Sequence, residues 1–404
     1  MAWEKVRLGD VCVSIADGDH LPPPKADCGI PFVTISNITS ANQFDFTNTM
    51  FVPQEYYDSL DEKRKPKVND ILYSVVGSFG KPVFIKDDSP FVFQRHIAIL
   101  RPDESKIYSR YLYYKMLSND FYMMADAVAV GAAQRTVSLT ALRNMEINIP
   151  NKETQKRIAD ILSAYDDLIE NNQKQIKLLE EAAQRLYKQR FIDLKFPGHE
   201  TTKIVDGLPE GWKKRIISEV CETIGGGTPS TSKQEYYHNG KIPWATPTDL
   251  TKNDSLVLLD TEKKITEEGL KHSSAKLLPC NSILMTSRAS IGYFAICDFP
   301  VCTNQGFISC IPYNSDMFYY LLFNLMCRVD EIKGKATGST FLEITKREFR
   351  NMEIVEPSES LLKNFSKIIE PIVNKIRTVK KEIVGLTQSR DRLLPKLMNN
   401  EIEV

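Results

Sequence analysis

Residues 152–195 read KETQKRIADILSAYDDLIENNQKQIKLLEEAAQRLYKQRFIDLK, and this stretch decides the fold. Mostly apolar residues recur along it at steps that alternate between four and three, which is the heptad seam of a long helix that packs on a partner helix. No Pro or Gly interrupts the stretch. The seam consists of Ile158, Leu162, Tyr165, Ile169, Asn172, Ile176, Leu179, Ala183 and Leu186.

The same seam returns near the C-terminus, 207 positions later. Two seams and two globular stretches predict a duplicated unit. If the seams pair within the chain they pair antiparallel, and we expect the two globular domains at opposite ends of a rod, related by an approximate two-fold axis. Asn172, facing the region of Val379, either fixes the register at some cost in stability or reaches solvent at the edge of the rod. The second seam consists of Phe365, Ile369, Ile372, Ile376, Val379, Ile383, Leu386, Arg390 and Leu393.

The globular stretches repeat one plan in the same order. RNMEI occurs at 143–147 and again at 350–354, and two further segment pairs match at an offset of 212. β-Branched and aromatic content predicts strands at 30–38, 70–76 and 91–100, helical spacing predicts a helix at 109–124, and Pro395 should stop or kink the last helix. The matching segments are IPFVTISNI (30–38) with IPWATPTDL (242–250), and NDILYSVVGSFG (69–80) with NSILMTSRASIG (281–292).

The predicted fold class is therefore mixed α/β (α+β), with two similar globular domains separated by two long antiparallel coiled-coil helices and an internal pseudo-two-fold duplication. The predicted boundaries are 1–151 for the first domain, 152–195 for the central helix, 196–211 for a Pro- and Gly-containing hinge, 212–356 for the second domain and 357–404 for the C-terminal helix.

Composition is that of an ordinary globular protein, with 42% hydrophobic and 26% charged residues among 404. No apolar run approaches the roughly 20 residues of a membrane span, and the N-terminus lacks an apolar signal core, so we expect a cytoplasmic protein. The eight cysteines show no CxxC pair and are expected to be reduced and mostly buried, and the five histidines have no zinc-site spacing. The net charge is zero, so DNA binding would need local patches or a positively charged partner.

Catalytic motifs are absent from the sequence. It contains no P-loop, Rossmann fingerprint, HExxH, GxSxG or the Asn/Asp-Pro-Pro-aromatic tetrapeptide of DNA amino-methyltransferases. Asp260, Glu262 and Lys264 imitate a nuclease cluster, but their charged run indicates a solvated face. The run 225–230, GGGTPS, could cradle a phosphate, yet no helix clearly starts after it and no suitably placed Lys follows, so a loop that approaches a nucleic-acid backbone fits better.

The two domains differ in their loops and agree in their scaffold, which is the usual arrangement for recognition. Two similar domains related by a two-fold axis suit duplex DNA, whose strands are antiparallel, so that each domain would read one half-site.

The second domain resembles the target-recognition domain of type I restriction–modification specificity (S) subunits. The resemblance is carried by Gly226-Gly227-Thr228-Pro229-Ser230, Trp212 with VCETI, residues 281–292 and the RNMEI exit into a long helix. The closing run 393–398, LLPKLM, is also typical of that family. The resemblance covers essentially the whole chain. The first domain departs from it, with GDHLPPPK where the second has GGGTPSTSK.

The resemblance implies a non-catalytic subunit that reads a split site in double-stranded DNA. It implies partners, namely two methyltransferase subunits docked on the helices and ATP-driven restriction subunits with motor and nuclease activity. It also implies no cofactor in this chain, with S-adenosylmethionine and ATP/Mg on those partners.

Candidate DNA-contacting residues are polar or cationic side chains on predicted loops, because groove edges are read by such groups. For each of them a turn-stabilising or solvent-facing role remains open. In the first domain they are Lys25, Ser36, Asn37, Ser78, Lys81, Arg95, His96, Gln134 and Arg135; in the second they are Thr228, Ser230, Lys233, Thr246, Thr248, Arg288, Ser290, Asn304, Gln305, Lys335 and Thr337.

Two other hypotheses compete with DNA recognition. The first is a non-catalytic coiled-coil scaffold that presents two protein-binding modules, which zero net charge favours. The second is a nucleic-acid-modifying enzyme, which the missing cofactor and carboxylate motifs disfavour.

Overall fold

The structure is a computed structural model that describes residues 3–20, 22–39, 41–132, 134–338 and 340–404. The chain forms two compact units: the first contains Met1–Ile169 and Gly385–Val404, and the second contains Glu170–Val384. Each long helix therefore contributes one segment to each unit. The run GDHLPPPK (18–25) includes Leu21, which lies outside the described part of the chain.

The first unit is built on a four-stranded antiparallel sheet whose central strands are buried on both faces. Ile71 and Tyr73 pack into one hydrophobic cluster with the helices, whereas Leu72, which points the other way, packs into a second. Strand residues alternate between faces, so a fully apolar strand requires both faces to be covered. The sheet order is Cys12–Asp17, Ile97–Pro102, Ile71–Ser74 and Pro82–Phe84. A three-stranded sheet has the order Met50–Val52, Ile30–Val33 and Val92–Phe93, and Glu4–Arg7 pairs with Glu146–Ile149.

The second unit repeats all nine of these strands in the same order and pairing. Ile283 and Met285 again face one cluster while Leu284 faces another. A separate two-stranded hairpin, Ile204–Val205 with Leu208–Pro209, lies in the hinge. The four-stranded order is Cys221–Gly225, Phe307–Pro312, Ile283–Thr286 and Phe294–Ile296; the three-stranded order is Lys263–Ile265, Ile242–Ala245 and Cys302–Thr303; and Lys213–Ile216 pairs with Glu353–Glu356.

The helices of the domains also correspond. Ser109–Leu117, Asn119–Val128 and Leu139–Asn144 in the first domain match Phe318–Cys327, Val329–Gly334 and Lys346–Arg350 in the second. Further short helices are Gln54–Ser59, Ile217–Val220, Pro247–Thr251 and Glu267–Lys271, and short 3-10 turns are Leu8–Val11, Ile35–Asn37, Glu62–Arg64, Gln234–Tyr236 and Ser315–Met317.

The two long helices are Lys152–Tyr187 and Glu359–Met398. Every residue of both predicted seams is buried or half-buried, which confirms the heptad prediction. They pack antiparallel: in the second unit Tyr187 meets Phe365 with ring centroids 6.2 Å apart, while Asn172 lies beside Glu382. In the first unit Asp166 meets Arg390. The predicted α/β class with two long antiparallel helices and an internal duplication is confirmed.

Asn172 is half-buried, and its amide nitrogen lies 3.4 Å from Glu382 Oε2. It therefore reaches a charged side chain at the margin of the seam. This partner lies about one helical turn from Val379, the residue that the sequence suggested.

Five predicted boundaries were wrong. The strand expected at 30–38 ends at Val33, and the 3-10 turn Ile35–Asn37 follows it. The strand expected at 91–100 breaks at 94–96, because Val92–Phe93 belongs to the three-stranded sheet and Ile97–Pro102 to the four-stranded one. The helix expected at 109–124 breaks at Ser118, whose hydroxyl caps the next helix by accepting from Phe121 N. The central helix gives way at Lys188–Ile192 to a wider π turn instead of continuing to 195.

The C-terminal helix does not stop at Pro395 but continues to Met398. A proline inside a helix costs a hydrogen bond. Here Leu394, Leu397 and Met398 are buried in the core of the first unit, and their packing offsets that cost.

All eight cysteines are free, as expected, but only Cys221, Cys297, Cys302 and Cys310 are buried, so "mostly buried" was an overestimate. Burial raises the pKa of Cys302 to about 11 and that of Cys297 to about 12, which keeps both thiols protonated and unreactive. Within the described ranges no helix is long and apolar enough to cross a membrane.

Candidate nucleic-acid interface

One edge of the second domain gathers most of its loops. Gly225, Thr286 and Phe307 lie together at one end of the four-stranded sheet, as their strand pairing shows. The parallel strands Ile242–Ala245 and Cys302–Thr303 end there too, because Asn304 N donates to Ala245 O at 3.0 Å. We call this edge the loop end of the domain. Loops 226–230, 287–293 and 304–306 leave from it, and so does the short helix Pro247–Thr251, which Thr246 caps.

The first domain has the same loop end. Asp17, Ser74 and Ile97 lie together by strand pairing, and Gln94 N donates to Val33 O at 3.1 Å. The loops that leave from it start after Asp17, Val33, Ser74 and Phe93. The duplication therefore repeats the loop-bearing edge as well as the scaffold.

A buried hydroxyl fastens the equivalent turn in each domain. Ser74 Oγ donates to Ser78 O at 3.0 Å and accepts from Lys81 N at 2.9 Å. Thr286 Oγ1 donates to Ser290 O and accepts from Tyr293 N at 3.0 Å. Both hydroxyl residues are fully buried. We call these turns, residues 75–81 and 287–293, the clasped turns.

A second loop packs beside each clasped turn. In the first domain Val130 pairs with Thr136, and Gly77 N donates to Arg135 O at 2.9 Å. In the second domain Thr337 pairs with Glu343, and Ala289 N donates to Leu342 O at 2.8 Å. These two loops, residues 130–136 and 337–343, are called the flanking loops. They add Gln134, Arg135 and Thr337 to the loop ends.

The structure brings most candidate residues to the loop ends, and none of the twenty is buried. Those placed there in the first domain are Ser36, Asn37, Ser78, Lys81, Arg95, His96, Gln134 and Arg135; those in the second are Thr228, Ser230, Thr246, Thr248, Arg288, Ser290, Asn304, Gln305 and Thr337.

Three candidates lie elsewhere. Lys25 is next to Ala26, which pairs with Phe51 along the outer strand of the three-stranded sheet. Lys233 donates to the Tyr236 hydroxyl at 2.9 Å, and this hydrogen bond raises the pKa of Lys233. Lys335 lines a cleft with Tyr187 and Trp212 near the long helix.

Several loop-end side chains are occupied by local hydrogen bonds. Asn37 Oδ1 accepts from Thr34 N at 2.8 Å and its amide donates to Asp45 O at 3.1 Å, so this side chain closes a turn. Thr246 N and Oγ1 both donate to Asp249 Oδ2 at 2.7 Å, which is the same capping box in the second domain. These contacts favour the turn-stabilising interpretation for Asn37 and Thr246.

Two loops of the second domain are joined by side chains. Thr228 Oγ1 donates to Gln305 Oε1, which leaves both N–H groups of the Gln305 amide available. Asn304 Oδ1 accepts from Gly306 N at 2.9 Å, a contact that does not use the amide N–H groups of Asn304. An amide that still has free donors can read a base edge.

The cationic side chains at the loop ends differ in whether a carboxylate lies within ion-pair distance. Lys81 and Arg95 have no carboxylate within ion-pair distance among the described residues. Arg135 pairs with Asp126 at 3.0 Å, and Arg288 Nε lies 3.6 Å from Glu343. Exposed ion pairs of this kind contribute about 0–1 kcal/mol, so either arginine can exchange its partner for a phosphate.

Sequence reasoning missed the equivalence of Gly18 and Gly226. A side chain on Gly18 would lie 2.2 Å from Phe93 O, and one on Gly226 would lie 2.0 Å from Asn304 O. Both glycines are required because the loop crosses the end of a neighbouring strand, so the Gly-rich run is explained by packing within the domain.

Sequence reasoning also missed Lys346, which reaches the loop end of the second domain. Its ammonium would lie 3.9 Å from a Cβ atom added to Gly225, the last residue of the strand Cys221–Gly225. Only its place after the helix cap Thr345 marks Lys346 in the sequence, and that signal says nothing about the strand it approaches.

The charged run that imitates a nuclease cluster is a surface feature. Lys264 pairs with Asp260 at 3.0 Å and Lys252 with Glu262 at 3.7 Å, with all four side chains substantially exposed. Within the described residues, no group of three His, Cys, Asp or Glu side chains is arranged to hold a metal ion.

Two copies of an α/β scaffold, each with a loop end of polar side chains and each packed on a long helix, define a duplicated recognition protein. The family model for the type I restriction modification DNA specificity domain matches residues 2–181 and again 209–388, and the chain belongs to that family. The two matches coincide with the two copies found in the structure.

Relatives and a solved structure agree with this assignment. The chain is 26% identical to the type I restriction enzyme HindI specificity subunit of Haemophilus influenzae, over 99% of both chains. It is 28% identical to the MjaIX specificity subunit of Methanocaldococcus jannaschii, over 74% of this chain and 70% of that one. The crystal structure of a type I restriction–modification S subunit from M. genitalium matches with a TM-score of 0.61 at 19% identity, covering 98% and 96%, which shows a shared fold.

Proposed function

We propose that this protein is the DNA-recognition subunit of a type I restriction–modification complex, in which each domain reads one half of a split site. The main support for the proposal is that both domains have a loop end built in the same way. The clasped turn and flanking loop have the same backbone hydrogen bonds in both domains, yet display different side chains. Two domains that share a backbone but carry different loop side chains are suited to read two different half-sites.

The base contacts are proposed for the loop-end side chains with free donors or charges. Gln305, Asn304 and Gln134 carry amides that suit adenine, and Arg95 and Lys81 carry cations that suit guanine or phosphate. Lys346 joins them as a phosphate contact. Phosphate contacts position a protein on DNA without specifying sequence, so Lys81 and Lys346 are expected to set affinity more than specificity.

The remaining roles are proposed for partners. Methyltransferase subunits would dock on the long helices and carry S-adenosylmethionine, and restriction subunits would carry ATP and Mg. This chain would itself be non-catalytic and would work on chromosomal DNA in the cytoplasm. Zero net charge fits this division, because partners that surround the duplex can supply phosphate neutralisation.

The test is co-expression with the methyltransferase encoded beside it, followed by base-resolved mapping of methylated adenine in co-resident DNA. We expect one split motif that disappears when this chain is omitted. The matched pair of variants is Gln134→Ala in the first domain and Gln305→Ala in the second. Each should relax one half of the motif and leave the other half unchanged.

Two outcomes would contradict the proposal. A stable complex that leaves DNA unmethylated, in a host with an active methyltransferase, would support a protein-binding scaffold. Methylation that persists without this chain would assign recognition to another subunit.

A further inference from the structure

The flanking loop of the second domain ends in an exposed apolar tip. Phe341 and Leu342 are 57% and 53% exposed, and Tyr293 on the adjoining clasped turn is 46% exposed. Large apolar side chains grouped on a surface mark a contact site more often than isolated ones do.

This tip is held firmly in place. Thr337 and Glu343 pair across its base, Leu342 O accepts from Ala289 N at 2.8 Å, and Ile344 N donates to Ser287 O at 3.0 Å. The loop is thus bonded to the clasped turn directly after Phe341, at Leu342 and Ile344, and its two ends are bonded to each other through Thr337 and Glu343. Because Thr286 anchors that turn in the sheet core, Phe341 and Leu342 sit on a fixed support.

Two cations lie at the same loop end as the apolar tip, and one of them, Arg288, pairs with the Glu343 carboxylate at 3.6 Å. The Arg288 guanidinium lies 6.0 Å from the centre of the Phe341 ring, and Lys346 lies beside Gly225 at the same loop end. Because this exposed ion pair is weak, Arg288 can turn to a phosphate, and an apolar tip beside such a cation complements a nucleic acid, whose bases offer apolar faces and methyl groups between rows of phosphates.

The first domain has polar residues at the corresponding positions. Gln134 and Arg135 stand 207 positions before Phe341 and Leu342, and Lys81 stands 212 positions before Tyr293. The backbone bonds that hold the two flanking loops are the same, so only the chemistry of the tip differs.

We propose that Phe341 and Leu342 are specificity-determining residues that make apolar contact with bases of the half-site read by the second domain. The first domain uses Gln134 and Arg135 at the same place for polar contact. The inference rests on the proposed function, and it assigns an apolar mode of reading to one half-site and a polar mode to the other.

The test uses the full chain in complex with its methyltransferase and a duplex that carries the mapped motif. Phe341→Ala and Leu342→Ala should each weaken binding by roughly tenfold, as expected when one base contact is lost. The slope of log affinity against log salt concentration should stay constant, because no phosphate contact is removed. Methylation mapping should show relaxation in the second half-site alone.

Tyr313→Ala is the matched control. Tyr313 is 67% exposed but lies six residues beyond Phe307, just past the opposite end of the same strand. At about 3.3 Å per residue it is roughly 20 Å from the loop end. This variant should leave affinity, salt slope and motif unchanged.

The inference fails if both tip variants bind and methylate the mapped motif as the unaltered chain does. It also fails if they lose the methyltransferase from the complex, which would make the tip a protein contact. If no split motif is found with the unaltered chain, the proposed function fails instead, so the two failures are distinguishable.

Discussion

The two units differ in the residues that fill equivalent positions where a domain helix packs against the two long helices. In the first unit Tyr114 donates to Asp166 at 2.6 Å, and Arg390 pairs with the other oxygen of that carboxylate at 2.6 Å. The equivalent positions in the second unit, offset by 209 for the tyrosine and by 207 for the pair, are Phe323, Val373 and Ala183, all buried.

This difference shows which interactions the fold requires and which occur in only one of the two copies. A hydrogen-bonded ion pair and an apolar cluster occupy the same place in the same antiparallel helix packing. Helix pairing therefore does not depend on the charges. Burying ions costs desolvation free energy, so the polar version is expected to be no more stable than the apolar one.

The largest expected effect comes from the aromatic cluster around Phe365 in the second unit. Phe365 is fully buried and meets Phe191 edge-on at 5.0 Å, whereas its counterpart in the first unit is the aliphatic Ile158. Phe365→Ala should lower the free energy of unfolding by about 3–5 kcal/mol, and Ile158→Ala by about 2–4 kcal/mol.

Urea unfolding followed by tryptophan fluorescence measures both losses. Trp3 reports on the first unit, and Trp212 and Trp244 report on the second. A larger loss for Ile158→Ala than for Phe365→Ala would show that the aromatic cluster adds nothing beyond aliphatic packing.

Breaking the ion pair should have the next largest effect. Asp166→Ala leaves Arg390 only 20% exposed with Asp391 as its remaining partner, and we expect a loss of about 2–3 kcal/mol. The triple variant Y114F/D166V/R390A installs the chemistry of the second unit and should unfold within about 1 kcal/mol of the unaltered chain. If the triple variant is as unstable as Asp166→Ala, the two interiors are not interchangeable.

The clasped turns should respond to loss of their hydroxyls by about 1–2 kcal/mol each. Ser74→Ala leaves Lys81 N without its acceptor, and Thr286→Val does the same to Tyr293 N. Each variant should also weaken methylation through its own half-site, as measured with motif-bearing duplexes. Ser290→Ala is the control for the stability measurement, since only the main-chain oxygen of Ser290 joins the turn. Equal losses of stability in Thr286→Val and Ser290→Ala would argue against the clasp.

The smallest effect is a pH dependence that only the second unit should show. Burial raises the pKa of Glu180, although the hydrogen bond from Leu256 N at 2.6 Å opposes that shift. The folded state then holds the proton more tightly than the unfolded state, so stability falls as pH rises from the ordinary glutamate pKa through the raised value. The equivalent residue of the first unit is Thr387, which does not ionise.

Glu180→Gln should remove this slope in the weakly acidic range and change stability at neutral pH by no more than about 1 kcal/mol. The neighbouring residue Glu181 is only half-buried and pairs with Arg185, so Glu181→Gln serves as the control and should keep the slope. Thermal unfolding measured across that pH range gives the slope of stability against pH for both variants. An unchanged slope in Glu180→Gln would assign the pH dependence to another group.

The sequence reveals the duplication and the seams because both are periodic. Seam residues such as Ile176 and Ile376 are apolar where the two helices pack, and strand residues such as Ile71 and Leu72 are apolar because both faces of the sheet are covered. The partner of Arg390 is not visible in this way, since Asp166 lies 224 residues earlier and is fixed by helix register.

The sequence predicted which residues lie on loops, but it did not predict which of these loops contact one another. The choice of polar residues on predicted loops selected Gln305 and Arg288. The same criterion also selected Asn37, whose amide closes a turn, and Lys335, which lines another cleft. It also passed over Phe341, because an apolar residue in a loop carries no polar signal. Only the backbone bonds between separate loops show which tips stand together.

The clasped turns have a consequence for evolution. Their closure depends on main-chain atoms and one hydroxyl that is out of contact with solvent, so the outward residues can drift without loss of the fold. If the tips read bases as proposed, a single substitution at a tip would yield a protein that still folds but prefers a different DNA sequence. The duplicated layout would then let the preference for each half-site change independently.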